Sequence, residues 1–354
     1  MHIFSLIKIP IVVLLLSSNL SSANNLEFYF TFSITSKFDI KNGKVNEEQL
    51  EILSKYTETG KLILTRSARE GQYGEFLIVF DDLINRCSNP KIIESKLINL
   101  SNAGVRGASL THGYALYNGE CLTRDIDRSI SIFESLAAKN EVLAQEFLGR
   151  IYFYDDTLVN INKSKEFSTM AVKNDSRIGS FVLGMIKQKF PNSKIQVEFE
   201  DLMKHSALLN FAPAQYNLYI LYKDSDPQEA IKWLMRSVDN KFKDAIISYA
   251  MILYRENKPN NKLKIVNLLE NLDLSGNLNA STLLGIAMLK TDWEKGLMLL
   301  ENNADQGNVP SIKYLSSFYK NMHMSGAGNQ YKSKLVVLCE KYNGQNNLPN
   351  CNDI

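Results

Sequence analysis

Residues 144–174 read AQEFLGRIYFYDDTLVNINKSKEFSTMAVKN, and this stretch decides the fold. Ala144, Leu148 and Tyr152 stand four apart, within about 80° of one another on a helix that turns 100° per residue. That spacing predicts an amphipathic helix. Gly149 on the same helix leaves room for a second helix to approach closely. The segment KSKEFSTMAVK then supplies that second helix, and Asp175 follows it where a left-handed residue would close it.

The same register recurs on both sides. Small residues equivalent to Ala144 stand at Ala108, Gly179, Ala214, Ala245, Ala280 and Ser311, spaced 31 to 36 residues apart. Five places after each anchor stand Gly113, Gly149, Gly184, Tyr219, Ala250, Gly285 and Ser316. Four places before each stand Gly104, Asn140, Asp175, Asn210, Lys241, Gly276 and Gly307, which predicts a helix end at every one. Pro227 falls early in its helix, where a missing N–H costs little. One unit cannot cover its apolar face alone, so neighbours must stack. The fold class expected is all-α, a superhelical solenoid of about seven helix–turn–helix repeats with a short N-terminal extended segment.

The pattern resembles the Sel1-like repeat family, relatives of tetratricopeptide repeats. The A-x-x-x-L-G-x-x-Y element stands as AQEFLGRIY, and the closing element as LAAKN at 136–140 and NADQGN at 303–308. The likeness covers residues 104–342. It weakens at Ala214 and Ala245, where Tyr219 and Ala250 replace the glycine and are expected to loosen the packing. In such stacks, the resemblance implies, first-helix positions two, six and nine after the anchor line a concave surface. Thirteen of those 21 positions are apolar or aromatic, too many for a face meant only for water. Tyr114, Tyr117, Glu146, Arg150, Phe153, Phe181, Met185, Tyr216 and Tyr254 are the binding residues expected there. The alternative is that some of them pack against neighbouring helices.

Residues 1–23 read as an export leader. Lys8 precedes the apolar run IPIVVLLL, and Ser21 and Ala23 suit a cleavage site. That run is shorter than the roughly 20 apolar residues a bilayer span needs. A periplasmic or secreted location follows as an expectation, and disulfides persist there. Four cysteines allow three pairings. Cys87–Cys121 and Cys339–Cys351 are favoured, with free thiols the alternative. A Cys87–Cys121 bridge would need its loops to bend inward, because packed helices lie about 8–10 Å apart. Residues 24–50 form an N-terminal extension in which Phe28, Phe30, Phe32 and Ile34 alternate with polar residues at a strand period. Residues 51–103 read as a helical cap or degenerate repeat, and 343–354 as a polar tail.

Apolar residues make up 45% and charged residues 22%, which excludes wholesale disorder. With 40 basic and 38 acidic residues the net charge is +2, and no basic block points to nucleic acid. Neither HExxH, GxSxG nor a phosphate-cradling loop occurs. Ser88/Lys91 and Ser317/Lys320 match S-x-x-K, the spacing of penicillin-interacting enzymes, without SDN or KTG. His205 reads as a surface or cap residue. No catalytic residue, cofactor or metal is expected. The function expected is an exported, non-enzymatic scaffold that binds a protein partner. One role consistent with the resemblance is a periplasmic immunity protein against a lipase toxin delivered by type VI secretion. An envelope or host-interaction adaptor is the alternative, and a cell-wall-active hydrolase the enzyme reading.

Overall fold

The computed structural model describes residues 73–341 except 120, 273, 275, 325–332, 335 and 338–339. The leader, the alternating segment, the Cys339–Cys351 pair and the tail lie outside the described residues. Fifteen α-helices run through the described residues. The chain opens with α1 (Tyr73–Asp81), a π-helical turn (Asp82–Arg86) and α2 (Pro90–Asn102). First helices of the repeats are α3 (Arg106–Asn118), α5 (Val142–Tyr154), α7 (Arg177–Lys189), α9 (Ala212–Tyr222), α11 (Lys243–Glu256), α13 (Leu278–Met288) and α15 (Val309–Met324). Their second helices are α4 (Ile126–Ala138), α6 (Ile161–Val172), α8 (Phe199–Leu208), α10 (Pro227–Asp239), α12 (Asn261–Leu269) and α14 (Trp293–Asp305). The chain divides into two compact units, Met1–Ala230 and Ile231–Ile354, with the division inside α10.

Local chemistry sets the helix ends. All seven residues of the predicted closing column are left-handed, with φ from 55° at Asp175 to 92° at Gly104. Beyond each left-handed residue the chain turns back on the helix just finished. The Glu141 amide donates to the Leu136 carbonyl and the Asn140 amide to Ala137, both at 3.0 Å. This double bond closes a helix whose last carbonyls would otherwise lack partners. The next residue starts the following first helix, and Ser176, Asn277 and Asn308 cap theirs through the amides of Gly179, Ala280 and Ser311. Second helices start on a different column. Asn89, Asp125, Asn160, Asp226 and Asp292 each accept the amide three residues on, at 3.0–3.2 Å.

Within unit 1 each first helix lies between two second helices. A methyl group added at Gly149 would stand 2.5 Å from Ser168 Oγ on α6, its own partner. At Gly179 it would stand 2.8 Å from the Ser168 carbonyl oxygen, on the second helix of the preceding repeat. The two small-residue columns therefore serve two different contacts. Ser129 and Ser164 add a tie: their hydroxyls donate to the carbonyls of Gly113 and Gly149 at 2.7 and 2.6 Å. In unit 2, Gly285 and Gly296 make the corresponding close approach. Ala250 fits its helix contact with no exposed surface, so the expected loosening there is not found, whereas Tyr219 is half-buried.

A polar latch recurs between repeats. In unit 1 the Tyr152 hydroxyl and Lys163 ammonium both donate to Glu134, at 3.2 and 2.9 Å. Tyr222 and Lys204 do the same to Glu200, each at 2.6 Å. In unit 2 Tyr319 and Lys334 meet on Glu301. Each tyrosine stands eight places after its anchor, and each glutamate sits on the preceding second helix. Every lysine also lies over its tyrosine ring, at 5.0–5.8 Å.

The predicted Cys87–Cys121 disulfide is formed. Both cysteines have left-handed backbones, φ 46° and 61°. These turns bring the Cα atoms to 5.4 Å, within disulfide reach. The bridge ties the chain ahead of α2 to the turn between α3 and α4.

Candidate functional site

The expected surface divides by exposure. Tyr114 and Tyr117 are each only 5% exposed, so they are core side chains and not open ones. The Tyr114 ring meets Phe133 of α4 and Phe147 of α5, both at 4.9 Å and edge-on. Tyr117 meets Phe147 at 5.1 Å and donates its hydroxyl to Asp155 at 2.5 Å. Burial opposes ionisation of Asp155, but hydrogen bonds from Thr157 and Tyr117 outweigh it and hold the carboxyl below its ordinary range. Phe153, Phe181 and Met185 are also buried, and Phe181 lies edge-on to Phe211 at 5.0 Å. First helices pack on one another as well as on second helices, so these positions fill the gap between them. Glu146 is half-buried and accepts the Ser176 hydroxyl at 2.6 Å, which ties α5 to the start of α7. Arg150 and Tyr216 are half-buried, and the Tyr216 ring lies 5.7 Å from Tyr219.

Of the nine expected binding residues, Tyr254 in unit 2 is the exposed one. Tyr254 near the end of α11 is 43% exposed, and Met251 one turn earlier is 41% exposed. Burial raises the Tyr314 phenol on α15, and the neighbouring Tyr254 hydroxyl adds to the rise. Tyr314 stacks on Phe318 at 6.4 Å, and Phe318 meets Trp293 of α14 at 5.1 Å. Trp293 is itself 38% exposed. Exposed Lys313, Ser317 and Lys320 lie on the same helix as Tyr314 and Phe318. Flat apolar rings with phenol and indole donors and a cationic edge are suited to anchoring a protein loop or helix. Of the rings in this cluster, the sequence pointed to Tyr254 alone. Tyr314 and Phe318 fall three and seven places after their anchor, outside the columns expected to be open, and Trp293 starts a second helix.

Comparison with protein-family models finds no match, and neither does comparison with curated protein sequences. Among solved structures, a protective antigen present in uropathogenic Escherichia coli strains, displaying an SLR fold, superposes with a TM-score of 0.52 at 20% identity. That match covers 64% of this chain and only 52%, about half, of the antigen. A Sel1 repeat protein from Oxalobacter formigenes superposes with a TM-score of 0.51 at 15% identity, over 82% of this chain and 99% of that one. The chain has the Sel1-like repeat fold.

Within the Sel1-like repeats the remaining candidate residues are tied to structure. Ser88 donates its hydroxyl to Asp82 Oδ2 at 2.6 Å and its amide to Oδ1 at 3.1 Å, which commits the serine to a turn. Ser317 and Lys320 are exposed on α15. His205 Nδ1 lies 2.8 Å from the Ser180 hydroxyl and bridges α8 to α7. His112 is buried 3.2 Å from Glu94, which also accepts Arg128 at 2.8 Å. Burial holds the imidazole below its ordinary pKa despite the carboxylate, so the contact is a neutral N–H donating to Glu94. Among the described residues no group of three His, Cys, Asp or Glu could hold a metal ion, and no helix is long and apolar enough to cross a membrane.

Proposed function

We propose that the protein is a non-enzymatic interaction scaffold whose second unit presents an aromatic surface to a protein partner. One observation carries this reading: Tyr254 and Trp293 are 43% and 38% exposed, beside half-buried Tyr314 and Phe318. Rings gathered into one partly open patch, rather than scattered singly, mark a contact surface. The finer reading is a periplasmic immunity protein that blocks a lipase toxin delivered by type VI secretion. The apparent leader at residues 1–23 supports export, and so does the Cys87–Cys121 bridge, since disulfides persist in oxidising compartments. An envelope or host-interaction adaptor is the second reading, because one protein of the same fold is a protective antigen of a pathogen.

The test is co-expression with a lipase-type effector from a neighbouring gene. A tight complex that abolishes ester hydrolysis supports immunity. A full-length chain that leaves the lipase fully active, yet captures an envelope protein, supports the adaptor. Hydrolysis of a chromogenic β-lactam, lost in Ser317→Ala, would overturn the scaffold reading altogether.

A further inference from the structure

Charge is not spread evenly along the chain. Up to Ala230 the sequence carries 25 Lys and Arg against 27 Asp and Glu; from Ile231 onward it carries 15 against 11, so the positive excess belongs to unit 2. Cations stand beside each of the rings described above. Arg255 follows Tyr254, Lys290 and Lys295 stand on either side of Trp293, Lys313 precedes Tyr314, and Lys320 follows Phe318. All five are exposed, and none has an ion-pair partner among the described residues. No acidic residue occurs on α13 or α15. Most carboxylates on the adjoining elements are engaged. Glu256 is held by Lys258 at 3.1 Å, Glu301 by Lys334 and the Tyr319 hydroxyl, and Asp305 by Lys341 at 2.9 Å. Asp292 caps α14 by accepting the Lys295 amide at 3.1 Å. Asp244 lies in the first turn of α11, about 15 Å along the axis from Tyr254. Glu294 is the exception, exposed beside Trp293. The rings therefore sit in a field that is positive on balance and that an incoming partner meets before contact.

We infer that the partner of this surface is a polypeptide segment that is acidic as well as apolar. Its aliphatic or aromatic side chains seat on Tyr254, Trp293 and Tyr314, and its Asp or Glu residues face Arg255, Lys313 and Lys320. The inference rests on the aromatic surface proposed above and adds the sign of charge that the surface accepts. Apolar contact supplies the anchor, while complementary charge steers the encounter and turns away basic segments, because like charges brought together cost affinity. Tyr314 and Phe318 are half-buried, which suits side chains docking onto them more than insertion of the rings into a bilayer.

A phage library of random peptides about 16 residues long, selected on the full chain, tests this. Enriched peptides should carry net negative charge together with aromatic or aliphatic residues. The tightest of them, made synthetically and followed by fluorescence anisotropy, should bind at least tenfold more weakly at about 500 mM NaCl than at about 50 mM. Lys313→Glu with Lys320→Glu should weaken it at least tenfold while the thermal melt stays unchanged. Lys139→Glu with Lys173→Glu in unit 1 makes the same change in net charge and should leave binding within about twofold. Enriched peptides that are neutral or basic, and that Tyr254→Ala with Trp293→Ala releases, would overturn the acidic preference and leave the aromatic surface standing. Acidic peptides that survive either the lysine or the ring substitutions bind elsewhere, which would also overturn it. No enriched peptide would overturn it as well, and sedimentation of the chain on phosphatidylglycerol vesicles would then assign the surface to lipid.

Discussion

Tyr114 shows how one residue changes meaning between sequence and structure. Its place six residues after the Ala108 anchor predicts exposure, yet it is wedged between Phe133 and Phe147. Phe133 itself is fully buried against Gly113, where an added methyl group would stand 2.8 Å from its ring. Phe133→Ala should therefore cost about 3–5 kcal/mol, read as a shift in urea midpoint at unchanged slope. Tyr114→Ala should unfold the chain in the same experiment rather than act on binding alone. The pair of His112 and Glu94 predicts acid sensitivity. Burial lowers the His112 pKa below 6.5, so the unfolded chain takes up that proton first and stability falls as pH drops below about 6.5. Although burial opposes it, Glu94 is held below 4.5 by Arg128 and His112, so its contribution stays intact above 4.5 and is lost as pH falls through its lowered value. Titrating stability from pH 8 to 5 should show a limb that flattens in His112→Gln.

At the scale of the helix pair, most of the design was legible. The closing column is one local requirement met seven times: a residue that tolerates positive φ. Lys241 is the weakest choice in it, at φ 58°. A side chain with a Cβ costs about 1–2 kcal/mol in that conformation, and glycine removes the penalty. Lys241 is exposed, so Lys241→Gly should raise the melting temperature by a few degrees in a thermal unfolding scan. The Tyr–Glu–Lys latch was not legible. Its lysines come from three different places: Lys163 on the following second helix, Lys204 one turn after Glu200, and Lys334 beyond α15. No single spacing in sequence marks them, although the tyrosines themselves fall in register.

For the whole molecule, the Cys87–Cys121 bridge closes a loop of 34 residues, close to one repeat. Reduction, or Cys87→Ser with Cys121→Ser, should cost about 2–4 kcal/mol and lower the melting temperature. In unit 2, Tyr254→Ala with Trp293→Ala should leave the melt within about 1 kcal/mol of the parent and weaken the partner complex at least tenfold, measured by calorimetry. Sequence by itself determined the all-α class, the period and the helix ends, and favoured the Cys87–Cys121 bridge that the structure then closed. Each depends on chemistry within one repeat or on matching places in adjacent repeats: apolar spacing, a left-handed turn, a small residue at a contact. Only the tertiary structure decided which first-helix side chains reach water. Exposure depends on how closely neighbouring helices approach, and in unit 1 they close over Tyr114, Tyr117 and Phe181 while in unit 2 they leave Tyr254 and Trp293 open.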